Sequence, residues 1–166
     1  AAEFINSQTL GSATYYADFE QWSGLLATLE PGQMYLLKMT EDATLTVTGV
    51  PVDLPSTPIS LIAGWNWIGY LPQNPGDIAT ALASLGDNAE FINSQAVGSS
   101  TYYPDFGQWA GLLETLEPGL GYLLKMNVDD ELIYPEFDLA RTLLAENKQE
   151  VVLTQTISDW DFNYGD

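Results

Sequence analysis

The segment Ala2-Glu3-Phe4-Ile5-Asn6-Ser7-Gln8 returns unchanged as Ala89-Glu90-Phe91-Ile92-Asn93-Ser94-Gln95. The match continues to Met39 and Met126, with about three-quarters of positions identical. Two stretches this alike face the same local physics, so a structure formed by one is expected of the other. The period is about 87 residues. That is well above the roughly 20–50 residues of solenoid repeats and propeller blades. Each unit is therefore expected to be a small domain with its own core.

The copies are not equally complete. Gly64-Trp65-Asn66-Trp67-Ile68-Gly69-Tyr70-Leu71-Pro72 is the densest aromatic and β-prone run, and it occurs once. Residues 1–50 read as the C-terminal half of a repeat and 51–137 as a complete one. Residues 138–166 read as a linker and the start of a next module, and the whole as a piece of a longer protein. Without a strand like 64–72, the apolar strands of 1–50 need a partner. They are expected to dock against the whole repeat or to borrow a strand from another chain.

Local patterning gives the elements. Glu3–Gln8, Thr14–Tyr16, Tyr35–Met39 and Asp42–Gly49 are β-prone. Trp22, Leu25, Leu26 and Leu29 fit one face of a short helix, with a strand ending in a turn as the alternative. Glu30-Pro31-Gly32 stops that element. Pro51–Pro58 reads as a linker, and Ile59–Ile62 as one arm of a hairpin with Trp65–Leu71. Trp65 and Trp67 share a strand face and are expected in the core. Asp77 is placed to cap a helix over Ile78–Leu85, ended by Gly86, with Ile78, Ala81, Leu82 and Leu85 on one side. A short helix over 138–148 and a strand over Val151–Ile157 follow. The fold class that results is β-rich α+β: tandem small domains, each a twisted, mainly antiparallel sheet with one short helix.

Charge and composition remove whole classes of function. There are 23 acidic residues against four basic ones, for a net charge of −19. Such a surface repels phosphate backbones and anionic membranes, so no nucleic-acid partner is expected. The chain has no cysteine and no histidine. Disulfides, thiol catalysis and every His-dependent catalytic triad are thereby excluded. No apolar run approaches the roughly 18 residues of a membrane-spanning helix, so membrane insertion is not expected. Paired carboxylates carry no information in so acidic a chain, so no catalytic residues are assigned and no enzyme activity is expected.

Two candidate sites remain. Trp22 and Trp109, with Tyr102 and Tyr103 and their counterparts Tyr15 and Tyr16, could make an aromatic platform for stacking sugars. The competing reading places these rings in the core of a small domain with little else to fill it. Asp159, Asp161 and Asn163 alternate, and Asp166 follows Gly165, as in a calcium loop. The glycine is one position late for that loop, however, and no bidentate Glu follows within the chain. Asp129-Asp130-Glu131 reads as a solvated turn. Lys38 and Lys125 are expected to pair with a carboxylate such as Glu30 or Glu117.

Gly64-Trp65-Asn66-Trp67-Ile68-Gly69-Tyr70, Ser94-Gln95, Trp109-Ala110-Gly111-Leu112 and Leu116-Glu117-Pro118-Gly119-Leu120-Gly121-Tyr122 together resemble a repeat of large proteins of Bacteroidetes-type bacteria. These are multidomain secreted or cell-surface proteins. The resemblance covers about residues 2–134 and implies a non-catalytic structural or adhesive module at the cell exterior. A carbohydrate-binding module is the alternative. Implied partners are other repeats of the same protein or another copy of the chain, and glycans under the alternative. Two departures stand out. The first copy lacks its Gly-Trp-Asn-Trp half, and Met34 stands where the repeat has Gly121.

Overall fold

The computed structural model describes residues 1–136 and 151–157. Its architecture is β-rich with little helix, built from antiparallel sheets. The first copy of the repeat forms β1 (Ala2–Ser7), β2 (Ser12–Tyr16), β3 (Gln21–Gly24) and β4 (Tyr35–Met39). They make a four-stranded sheet in the order β3-β2-β1-β4. Next come β5 (Ala43–Gly49), β6 (Ile59–Leu61), β7 (Gly64–Gly69), β8 (Gly76–Asp77) and the helical turn α1 (Ile78–Ala81). The second copy forms β9 (Ala89–Ser94), β10 (Gly98–Tyr103), β11 (Gln108–Gly111), β12 (Thr115–Leu116) and β13 (Gly121–Met126). β14 (Asp130–Leu132) and β15 (Val151–Ile157) close the described chain.

The second sheet runs β11-β10-β9-β13-β7. Its first four strands are the counterparts of β3-β2-β1-β4, and its fifth is β7, from the run that occurs once. Equal sequences produce equal bonds as well as equal strands. Ser7 Oγ accepts from the Thr9 and Leu10 amides, as Ser94 Oγ does from those of Ala96 and Val97. The Glu30 amide donates to the Tyr35 hydroxyl at 2.7 Å, and that of Glu117 to the Tyr122 hydroxyl at 2.8 Å. The Glu-Pro-Gly turn is thus held in both copies by the tyrosine that begins the next strand.

The core gathers under the second sheet. Ile92, Tyr122, Leu124 and Met126 from the sheet meet Ile78, Ala81, Leu82 and Leu85 from the helical segment. The four helical residues share the expected face, and Asp77 caps the turn by accepting from the Thr80 amide at 3.1 Å. The helix is shorter than expected: α1 gives way to a 3-10 segment over Ala83–Asn88, with a break at Gly86. Leu54 is fully buried in the same core and Val52 packs against it, so Pro51–Pro58 is anchored rather than a free linker.

Several expectations are corrected. Trp22–Leu29 is not helical but takes the alternative form, a strand ending in a turn: β3 ends at Gly24, and the Leu25 amide turns back onto the Ser12 carbonyl at 2.9 Å. β6 and β7 do not pair with each other. β6 pairs with β14 and β7 with β13, so the two run on as one arm of a long bent ribbon. Between them the Asn66 side chain accepts from the Ile62 amide and donates to the Ile62 and Gly64 carbonyls. That bonding turns Asn66, Ile68 and Tyr70 to the core and leaves Trp65 46 % exposed. Trp65 instead packs edge-on against Phe91, centroids 5.9 Å apart, on the outer face. Lys38 pairs with Glu3 and Lys125 with Glu90, across neighbouring strands rather than with the turn glutamates. The expected helix over 138–148 lies outside the described residues. Among the described residues no helix is long and apolar enough to cross a membrane.

Candidate functional site

The outer edge of β7 is where the first copy of the repeat touches the second. A strand edge presents backbone donors and acceptors that require partners. Here an exposed side chain supplies two of them. Gln8 Nε2 donates to the Trp65 carbonyl at 2.6 Å, and the Trp67 amide donates to Gln8 Oε1 at 2.7 Å. The carboxamide carries one donor and one acceptor, as a peptide group does, and so stands in for a residue of a neighbouring strand. Further along, the Met34 amide donates to the Trp67 carbonyl at 3.3 Å, and the Gly69 amide to the Gly32 carbonyl at 2.9 Å. Gln33 and Ile68 form an antiparallel bridge between these bonds.

Packing reinforces the seam. A Cβ built on Gly121 would lie 2.8 Å from both Cβ and Sδ of Met34, and closer still to its Cγ. The Met34 side chain therefore occupies space that any side chain at 121 would need. On the other flank, a Cβ on Gly32 would meet Ile59 Cγ1 at 2.8 Å, and this glycine also has φ +79°. Glycine is the residue that permits both the turn and the close approach. The departure of Met34 from the repeat pattern thus acquires a physical meaning: it is the bulky partner of the glycine at the same position of the other copy. Nothing in the sequence pairs position 34 with position 121, although the exchange of Met34 for glycine beside the Glu-Pro-Gly turn was the available signal. Gln8 gave no signal at all, because its twin Gln95 ends the same seven-residue run.

A recess of about 90 Å³ opens along the seam, lined among others by Gln8, Gln33, Leu61, Asn66 and Trp67. Small-molecule sites occupy about 300–1,000 Å³. The recess is suited to a packed joint rather than to a ligand.

The aromatic candidates are arranged in pairs. Tyr102 lies against Trp109 with centroids 5.3 Å apart, and Tyr15 against Trp22 at 5.5 Å. Each pair joins directly opposed residues of neighbouring strands. Tyr103 is opposed to Gln108, one residue on, and so projects from the other face. The four residues Trp22, Trp109, Tyr102 and Tyr103 therefore do not form one platform. Trp109 packs against the core, whereas Trp22 is 43 % exposed. The Tyr102 hydroxyl donates to Asp87 at 2.9 Å, and this hydrogen bond to the carboxylate raises the phenol pKa.

Asp129 and Asp130 hold backbone and side-chain donors. The Asp129 carboxylate accepts from the Ala63 amide, and Asp130 accepts from Asn88 Nδ2 and the Glu131 amide. The Asn88 bond, aided by the Glu131 amide, lowers the Asp130 pKa. Among the described residues no group of three or more acidic side chains is disposed to hold a metal ion. The calcium-loop candidates Asp159, Asp161, Asn163 and Asp166 lie outside the described residues.

No family model, no curated protein and no solved structure matches this chain.

Proposed function

We propose that the chain is a non-catalytic structural module of a secreted or cell-surface bacterial protein, in which successive repeat units are locked edge to edge. The observation that carries this reading is the Gln8 carboxamide clasp on Trp65 and Trp67, continued by the Gly32–Met34 bonds to the same strand. A joint made of backbone-like hydrogen bonds and an interlocked Met–Gly contact resists bending, which suits a spacer or a rigid contact surface. The strong negative charge keeps such a module soluble and repels its neighbours.

The test is the relative orientation of the two sheets. In Gln8→Ala, residual dipolar couplings are expected to show both sheets intact but reorienting with respect to each other. Couplings that still fit one rigid body in the variant would sink the proposal. Location is tested by protease shaving of intact cells, which is expected to release the chain.

One observation favours the second reading, a carbohydrate-binding module. Trp22, tilted against Tyr15 and 43 % exposed, offers an open aromatic surface. Binding on a glycan array that is lost in Trp22→Ala but not in Gln8→Ala would replace the structural reading with this one.

A further inference from the structure

The groups with which the first copy grips β7 are present a second time. Gln8 and Gln95 each follow the last residue of an identical strand. Each sits on a loop held by the serine before it, Ser7 or Ser94, whose Oγ accepts from the two amides that follow the glutamine. The Gln8 carboxamide is bonded to Trp65 and Trp67. That of Gln95 is exposed and has no partner among the described residues. The Glu-Pro-Gly turns repeat the contrast. Gly32 and Gly119 have nearly the same φ, +79° and +80°. Gly32 is buried and its carbonyl accepts from the Gly69 amide. Gly119 is exposed, and among the described residues its carbonyl accepts no backbone amide. The second copy's own β7 does not cover these groups. It lies in place beside β13, with the Tyr70 amide bonded to the Leu120 carbonyl, and Gln95 and Gly119 stay open.

We propose that the Gln95 carboxamide and the Gly119 carbonyl form a second clasp, whose occupant is the outer edge of a β7-type strand in a further unit of the same repeat. The proposal rests on the reading that units lock edge to edge, and it names the partner. Hydrogen-bond chemistry defines that partner. The strand must present a carbonyl and an amide two residues apart on one edge, to meet the acceptor and donor of a carboxamide. Two residues further on it must present another amide, to meet the glycine carbonyl. Trp65, Trp67 and Gly69 supply this set in the first joint. Residues two apart along a strand turn their backbone groups to the same edge, so any strand of this type can supply it.

Charge favours the site. From Ile92 to Pro104 the chain carries no ionisable acid or base, although its net charge is −19. A further acidic unit therefore meets no carboxylate on the loop that bears Gln95. The β7 of another copy of this chain does not qualify as it stands, because its own Gln8 fills that edge. The two clasps differ in one part. Gly121 stands where the first copy has Met34, so the second joint has the hydrogen bonds without the packed methionine and is expected to be the weaker.

The test supplies the missing edge. A second copy of residues 51–166 is joined to the C-terminus of the full chain, so that a β7 without its own Gln8 is tethered at high local concentration. Hydrogen exchange is read at both Trp67 amides by segmental isotope labelling. Gln95→Ala in the original part is expected to make the attached Trp67 amide exchange faster by about tenfold or more, and Gln8→Ala to leave it unchanged. The original Trp67 amide should show the reverse. An attached amide indifferent to Gln95 overturns the proposal and leaves the edge-to-edge reading standing. An original amide indifferent to Gln8→Ala removes that reading and the proposal with it. A second measurement needs no attached unit. Gln8→Ala with Met34→Gly bares β7 in the unextended chain. In high salt, which screens the acidic surface, sedimentation of this variant is expected to show association that disappears on adding Gln95→Ala. A variant that stays monomeric, or that associates without Gln95, overturns the second clasp.

Discussion

Met34 and Gly121 hold the same position of the repeat and play opposite parts in one contact. Because the Met34 side chain fills the space over Gly121, Gly121→Val is expected to destabilise by about 1–3 kcal/mol through overpacking. Adding Met34→Gly to the same chain should recover most of that loss, whereas additive costs would show that the two positions do not touch. Urea unfolding of the single and double variants provides the measurement. The Met34 exchange was legible in the sequence as a departure from the pattern. Its reason was not, because the sequence names a residue's neighbours along the chain and not those across a seam. Trp65 makes the same point on a single strand. Alternation shows that Trp65 and Trp67 share a face but not which face is buried, and residue size argues for the tryptophans. Asn66 decides the matter, because its amide is needed by the bend at Ile62 and Gly64.

At the scale of elements, nearly identical strands serve in unequal surroundings. β1 and β9 have the same six residues, yet Ile92 is fully buried in the core while Ile5 is only partly covered. Ile92→Ala is therefore expected to cost about 2–5 kcal/mol, and Ile5→Ala distinctly less. Chemical denaturation of the two variants compares them with the substitution and the strand sequence held constant. Equal losses would mean that the first sheet is as well packed as the second. The duplicated strands and their order were readable from the repeat alone. The β6–β14 pairing was not, since its partners are far apart in sequence and neither strand exceeds three residues. The end of β3 at Gly24 was also hidden. Leucines at helical spacing fit a turning loop as well as a helix, and the backbone contact to Ser12 settles the choice.

For the whole molecule, pH acts through the tyrosines of the larger core. Tyr70, Tyr122 and Tyr134 all have raised pKa values, with burial the leading cause in each case. Tyr70 and Tyr134 also meet edge-on, centroids 5.2 Å apart. Unfolded phenols ionise near pH ~10, while the folded ones resist. Their contribution is complete below that pH and is lost as pH rises through the raised folded values. Melting temperature is therefore expected to hold steady on the approach to pH ~10 and to fall steeply above it. The part of the tyrosinate absorbance that is lost on replacing Tyr70, Tyr122 or Tyr134 by Phe should appear together with unfolding. That part rising well before unfolding would show that these phenols are open to solvent.

The pairing of β7 with β13 also sets a problem of timing. During synthesis β7 emerges after β4 and well before β13, and β4 and β13 share the run Tyr-Leu-Leu-Lys-Met. Closing the shorter loop costs less entropy, so β4 competes with β13 for β7. Gly121 separates the twins, because it lies opposite Gly69 in the native ribbon, where the first copy would present Met34. The glycine that admits Met34 at the seam thus also distinguishes β13 from β4 as a partner for β7.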